Sequence, residues 1–383
     1  MTADDKRNFF PGNVSLHSVS RRHFLQYSFC IPSLSIAAAF LSCGFNRKSS
    51  GIRYLDALHH ILKEIRSKEE SSIRDASNLF AQALINRNRC FLAVSEPLNP
   101  GYYAEGSLGL PPVFVLLRSQ EMAVTVREGD ALLTTVGGEI PELAKKQGAT
   151  VIGLPGAART GIVETQRAAS LSFSGPVLLA VVTALAGEIY RRSEGVGRTG
   201  NQPPRDALHF LVTVINRLEY LKKQRENLSQ AALLAGEKIL HGGNLWLYNR
   251  NGAFAREIAT GTPGFARIIT PEGITGGALR EKDALVFASL TSNAPEEIHL
   301  LRIARGITNG IVTICPHEES GGYRLYRESP SGLDNMSPEK EGIETFDNGA
   351  RTFLHTGGVL NLAIFGMLVG EITAFLDSRG KKI

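Results

Sequence analysis

The sequence predicts an α/β protein built as two tandem three-layer αβα domains with parallel sheets. Short apolar runs rich in β-branched and aromatic residues alternate with helices of clear apolar period, the pattern of strands buried between helical layers. The pattern runs twice, and parts of it repeat in the letters themselves. At 383 residues, 43% hydrophobic and 21% charged, the chain can fill two cores.

Two helices come first in the globular part, residues 52–68 and 72–86. Leu55, Leu58, Ile61, Leu62 and Ile65 form one apolar stripe, and Ala76, Leu79, Phe80 and Leu84 form another. His59 and His60 are expected to be a surface pair, because neighbours on a helix point apart. Strand-like runs follow at Cys90–Val94, Val113–Leu117, Ala131–Thr135 and Thr150–Leu154, and a long apolar helix, Pro176–Arg191, closes the half. Gly195–Asp206 is a Gly/Pro/polar break, read as the linker between a first domain at 51–194 and a second at 207–380. The second half restarts with helices at Leu208–Arg225 and Leu228–Leu240, then strands at Leu245–Tyr248 and Ala266–Ile269. A final helix is expected from about Gly358 to Leu376, after a polar, Gly-rich stretch, Ser320–Gly349, that reads as one long loop.

The repeat is legible at three places. Tyr54-Leu55 corresponds to Phe210-Leu211, Arg127-Glu128-Gly129-Asp130-Ala131-Leu132 to Arg280-Glu281-Lys282-Asp283-Ala284-Leu285, and Gly187-Glu188-Ile189 to Gly370-Glu371-Ile372. A repeated structural contact is the simplest expectation for Glu188 and Glu371.

The unit that organises the second half lies between Arg280 and Ile314. Ala284–Ala288 suits a buried parallel strand. It stops in Ser289, Thr291, Ser292 and Asn293. Pro295-Glu296-Glu297 then reads as a first helical turn, with Pro in a favourable place and acids at the positive end of the dipole. The helix runs to Gly310, and Ile311–Ile314 is a second strand. A hydroxyl-rich loop at a strand's carboxyl end and a helix's amino end offers N–H and O–H donors to an anion.

That strand–loop–helix resembles the SIS (sugar isomerase) domain, whose Ser-rich S-x-S-G-type loop, followed by Thr/Pro and Glu, binds the phosphate of a sugar phosphate. Ser289-Leu290-Thr291-Ser292-Asn293-Ala294-Pro295-Glu296 keeps the hydroxyls, the Pro and the Glu, with Asn293 where Gly is usual. With the repeat, the resemblance spans both halves and implies two flavodoxin-like SIS domains. It implies a ligand site made by Ser289, Thr291, Ser292 and Asn293, with Asn249, Arg250 and Gly252 after the preceding strand. It also implies that an isomerase would need an acid and a base, for which Glu257 and His355 lie in corresponding regions; Glu296 and His317 are further candidates. The first half keeps only Thr134-Thr135-Val136-Gly137-Gly138-Glu139 at the phosphate loop and Ser95-Glu96-Pro97 at the earlier one, and reads as scaffold. The expected ligand is a sugar phosphate or an amino sugar, with no metal and no cofactor. Sugar-phosphate isomerisation, action on a cell-wall amino sugar, and a non-catalytic envelope sensor or scaffold all remain open. So do a homo-oligomer and an intramolecular pseudo-dimer.

Residues 1–43 read as a leader. Ser20-Arg21-Arg22-His23-Phe24-Leu25-Gln26 matches the twin-arginine export motif, and an apolar stretch, Tyr27–Leu41, follows. Phe40-Leu41-Ser42-Cys43 resembles a lipobox, with Cys43 as the lipidated residue; cleavage near Ala37-Ala38-Ala39 is the alternative. Export to the periplasm or cell envelope with a membrane anchor at Cys43 is therefore expected. The net charge of +5 is modest and no basic stripe carries interleaved aromatics, which argues against nucleic acid. Of the four cysteines, Cys90 and Cys315 fall on expected strands and read as buried free thiols.

Overall fold

The computed structural model describes residues 49–93, 113–117, 125–135, 138–154, 174–193, 208–250, 255, 265–291, 293–317, 324–337, 344–346, 351–353 and 355–381. The Leu55/Leu58/Leu62/Ile65 stripe makes helix α1 (Ser50–Lys68) and is buried along its length. Helix α2 (Glu70–Ile85) follows and buries Ile73, Ala76 and Phe80. The first sheet is assembled from β1 (Cys90–Ala93), β2 (Val115–Leu116), β3 (Ala131–Thr134) and β4 (Thr150–Gly153), with α3 (Glu139–Lys146) between β3 and β4 and α4 (Ser174–Ser193) at the end. Its order is β2-β1-β3-β4, and every pairing is parallel.

The second half opens with α5 (Leu208–Leu221), a 3₁₀ turn at Lys222–Gln224 and α6 (Arg225–Leu240). Then come β5 (Leu245–Tyr248), β6 (Ala266–Ile268), α7 (Pro271–Thr275), β7 (Ala284–Ala288), α8 (Pro295–Ile307), β8 (Gly310–Cys315), α9 (Arg324–Glu328) and β9 (Ser331–Asp334). A two-stranded antiparallel ribbon, β10 (Glu344–Phe346) with β11 (Arg351–Phe353), precedes α10 (Gly357–Ser378). The second sheet is parallel throughout, in the order β6-β5-β7-β8-β9. The chain leaves β5 to one side for β6 and returns to the other for β7, so the order reverses between β5 and β7. Open parallel sheets bind ligands at such a reversal, outside the carboxyl ends of the strands.

Alternation along the strands explains the layers. Ala284, Val286 and Ala288 face a core that also takes Leu245, Leu247, Leu55, Leu92, Leu133, Phe210 and most of α10. Leu285 and Phe287 point the other way, onto Ile298 and Leu301 of α8. Phe91 and Leu132 likewise meet Ala144 of α3 behind the first sheet. Helices therefore cover both faces of each sheet, and one core is shared by the two halves through α1, α4, α5 and α10. Helix α10 is long and apolar enough to cross a membrane, yet 83% of its most apolar window is buried against the rest of the protein.

Several expectations change. Ser320–Gly349 is not one loop, because α9, β9 and β10 lie within it and β9 is the fifth strand of the sheet. The helix expected at Leu208–Arg225 ends at Leu221, where tertiary contacts override the local pattern. Gln224 is held to β9, donating to the Asp334 carbonyl at 2.6 Å and accepting from the Asp334 N–H at 2.8 Å. His59 is not at the surface: only 12% of its side chain is exposed, 3.4 Å from Glu219, whereas His60 does face solvent. Glu371 accepts from the N–H of Gly51 at 2.6 Å, holding a donor that the first turn of α1 leaves free; Glu188 holds Arg191 and Arg192 of its own helix. As expected, Cys90 and Cys315 are buried thiols outside any disulfide, and burial, with the nearby Asp130 charge, pushes the Cys90 thiol up to about 12, leaving little thiolate at neutral pH.

Candidate ligand-binding site

The loop after β7 starts as a continuation of the sheet, with the Ser289 N–H donating to the Ile314 carbonyl at 2.9 Å. Ser289 is 4% exposed. Its hydroxyl donates to Glu297 Oε2 at 2.6 Å and accepts from the Thr291 N–H at 3.0 Å. Thr291 Oγ1 lies 3.4 Å from the same carboxylate oxygen. Glu297 reaches this loop because it stands in the first turn of α8, behind Pro295, on the face that also buries Ile298 and Leu301. Burial raises its carboxyl above the usual range, against the pull of the Ser289 bond and the Arg250 charge. At the end of β5, Tyr248 is buried with its ring 4.4 Å from that of Phe287, and burial, with the negative charge of Glu297, pushes its phenol up to about 12.

The back of the loop is fixed by amides. The Ser289 carbonyl accepts from Asn361 Nδ2 at 3.2 Å and Asn335 Nδ2 at 3.5 Å, and Asn335 Nδ2 also donates to Asn361 Oδ1 at 2.8 Å. Both asparagines are buried, Asn361 in α10 and Asn335 just past β9. The turn after β9 holds Met336 at a φ of 56°, a left-handed conformation uncommon for residues other than Gly. Asp334 Oδ1 secures that turn, accepting from the N–H groups of Met336 at 2.8 Å and His317 at 2.9 Å; burial raises its carboxyl. Thr356, fully buried ahead of α10, accepts from the Arg217 guanidinium of α5 and donates to Ser337 Oγ at 3.4 Å. Four elements thus converge on one short loop: β8, β9, α8 and α10.

Of the residues proposed from sequence, Ser289 and Thr291 are brought together, their hydroxyl oxygens 3.5 Å apart, and Asn293 is exposed. Asn249 and Arg250 follow β5 directly. The Asn249 side-chain carbonyl lies 3.5 Å from the Ala255 N–H, and Arg250 lies 3.5 Å from Glu296. The sheet order thus places both loops at the reversal between β5 and β7. Ser292, Gly252 and Glu257 lie outside the described residues, as do Arg21, Arg22 and Cys43. His355 is half-buried immediately before Thr356. His317 is exposed, its ring 4.3 Å from that of Tyr326. In the first half, Thr134 and Thr135 are buried. Among the described residues no cluster of three His, Cys, Asp or Glu side chains could hold a metal ion.

Sequence reasoning missed Glu297, Asn335 and Asn361. Glu297 stands three and four positions before Leu300 and Leu301, so helical spacing alone could have turned it inward. Asn361 is a lone amide in an otherwise apolar stretch, which is itself a signal, since a buried amide requires partners. Asn335 carries no such mark.

These features define a parallel α/β protein with two sheets, with the Ser289–Thr291 hydroxyl pair at the strand-order reversal of the second. No family model matches the chain, and no curated protein matches it in sequence. Solved structures do match. A candidate phosphosugar isomerase from Clostridium difficile superposes with a TM-score of 0.52 at 13% identity, over 88% of this chain and 99% of that one. A candidate phosphosugar isomerase from Silicibacter pomeroyi gives 0.51 at 12% identity, over 88% and 99%. A candidate sugar-binding protein from Salmonella typhimurium gives 0.50 at 13%, over 84% and 98%. At such identities the likeness is one of fold, and its coverage takes in both halves.

Proposed function

We propose that the protein is a tandem SIS-domain protein that binds a carbohydrate derivative in the crevice between the loops after β5 and β7. The observation that carries this is the Ser289–Thr291 hydroxyl pair at the strand-order reversal, on an architecture shared with candidate phosphosugar isomerases. Polar groups from two loops, Arg250 and Asn249 on one side and Ser289, Thr291 and Asn293 on the other, suit a polyhydroxylated ligand. Aldose–ketose isomerisation would need a proton carrier at the ligand, the role assigned from sequence to Glu257 and His355. A reading as a binding module without turnover is favoured by the sequence of the two loops: Asn293 stands where Gly is usual, and the first half keeps only Thr134-Thr135-Val136-Gly137-Gly138-Glu139.

Calorimetric titration with hexoses, heptoses and amino sugars, each with and without phosphate, tests the proposal. Micromolar binding that is weakened at least about tenfold in Thr291→Val supports it, since losing one hydrogen bond to a ligand costs roughly 1.4 kcal/mol or more. No binding of any sugar by the folded protein refutes it. A coupled aldose–ketose assay on the best ligand then separates enzyme from binder.

The same reading has the chain exported by the twin-arginine route and anchored at Cys43, resting on Arg21, Arg22 and the lipobox-like Phe40–Cys43. Replacing Cys43 by Ser should release the protein from the membrane fraction; unchanged retention would refute the anchor.

A further inference from the structure

Glu297 changes what the loop after β7 can accept. We propose that Glu297 determines the specificity of the site, turning the loop against phosphate and toward an unphosphorylated amino sugar whose ammonium or hydroxyl donates to the carboxylate. The inference rests on the reading of this crevice as a sugar site.

The loop's hydroxyls are already committed. Ser289 donates to Glu297 Oε2 at 2.6 Å, and Thr291 Oγ1 stands 3.4 Å from the same oxygen. A phosphate settling on these two hydroxyls would have to draw their protons away from Glu297. It would then lie about one hydroxyl's width from a carboxylate that is only 3% exposed. Two anions so close in a poorly hydrated place repel strongly. The first turn of α8 adds to the exclusion, because its positive end already has a carboxylate in Glu297.

No cation in the loop offsets this, for Ser289–Asn293 contains neither Lys nor Arg. Arg250, on the facing loop, has a side chain 64% exposed and pairs with Glu296. The Arg217 guanidinium is bound to Thr356. Among the described residues, Arg250 and Glu296 act on Glu297, and Glu297, Arg250, Glu272 and Glu296 act on Tyr248. A donor-bearing ligand meets the reverse situation: a carboxylate acceptor held in place by two hydroxyls, ready for a charge-assisted hydrogen bond.

The test is titration of the full chain at pH 7.5 with glucosamine, glucose and glucosamine 6-phosphate, for wild type, Glu297→Gln and Glu297→Asp. Wild type is expected to take glucosamine about tenfold or more tighter than glucosamine 6-phosphate. Glu297→Gln should erase or invert that ratio, and Glu297→Asp, which keeps the charge, should preserve its direction. Wild type binding the phosphate at least as tightly as glucosamine would overturn the assignment while leaving sugar binding intact. An unchanged ratio in Glu297→Gln would do the same. Failure of folded wild type to bind any of the three would overturn this assignment and the sugar-site reading together.

Discussion

Asp283 shows what a single side chain does at the opposite end of the strands. It is fully buried at the start of β7 and accepts from the Asn244 N–H at 2.8 Å, Asn244 Nδ2 at 3.3 Å, the Arg280 N–H at 3.0 Å and Trp246 Nε1 at 3.0 Å. Asp130 does the equivalent work in the first half, accepting from the N–H groups of Arg89 and Arg127, both at 2.8 Å. The letters Arg-Glu-x-Asp-Ala-Leu revealed the repeat; they did not reveal that the Asp clamps the entry to the neighbouring strand, because Arg89 and Asn244 are distant in sequence. Burial alone would raise the Asp283 carboxyl, but the bonds from Asn244, Trp246 and Arg280 reverse that and hold it below its ordinary value. The folded state therefore binds this proton less readily than the unfolded one. The resulting stability is present above the unfolded value and is lost as pH falls through the folded value. Asp283→Ala is expected to cost roughly 3 kcal/mol at pH 7, since it strands several buried donors, and the gap to wild type should narrow in acid. Urea unfolding followed by the fluorescence of Trp246, the one tryptophan in the chain, measures this directly. A gap as wide at pH 3 as at pH 7 would contradict it.

At the scale of elements, legibility followed burial. The limits of β5 and β7 were readable to the residue because both are apolar runs flanked by polar breaks. β9 was not, because Ser331-Gly332-Leu333-Asp334 buries only Leu333 and becomes a strand by pairing with the edge of β8. That omission hid Asn335, and with it the amide support behind Ser289. Helix α8 was found, yet its Glu296-Glu297 pair was read for the dipole alone, so the inward turn of Glu297 went unseen. Helix-to-helix fit was also out of reach. α1 and α10 approach so closely that a Cβ on Gly366 would lie 2.3 Å from the Tyr54 ring, and one on Gly51 would lie 2.7 Å from the Met367 carbonyl. Nothing in the local letters distinguishes these glycines from those in turns, since the requirement comes from the partner helix. The strand–loop–helix that carries Ser289 and Thr291 was legible for a different reason: a strand ending in hydroxyl residues before a Pro-initiated helix is a local feature, and sheet order sets β5 beside β7.

The whole molecule is held by the core that runs between the halves. α1 comes from the first half in sequence but packs chiefly on α10 and α5 of the second, and α4 packs on α10 and α5 as well as on α2. Leu92 of β1, fully buried, belongs to the same core as Leu245 and Leu247 of β5. Separating the halves would expose the apolar faces of α1, α4, α5 and α10 together, a cost that neither half could offset alone. The protein should therefore unfold in one cooperative step, although the sequence reads as two tandem units. Leu92→Ala provides the decisive case, because truncating a fully buried Leu costs about 2–5 kcal/mol and this one lies in the first sheet, whereas Trp246 reports on the second. In a single cooperative unit the Trp246 midpoint in urea falls by the full amount and coincides with the loss of helical circular dichroism. In a molecule of two independent halves the Trp246 transition stays where it was and the circular dichroism divides into two steps. The contacts of α1 with α10 decide for the first outcome, and a Trp246 midpoint unmoved by Leu92→Ala would show that the shared core does not couple the halves.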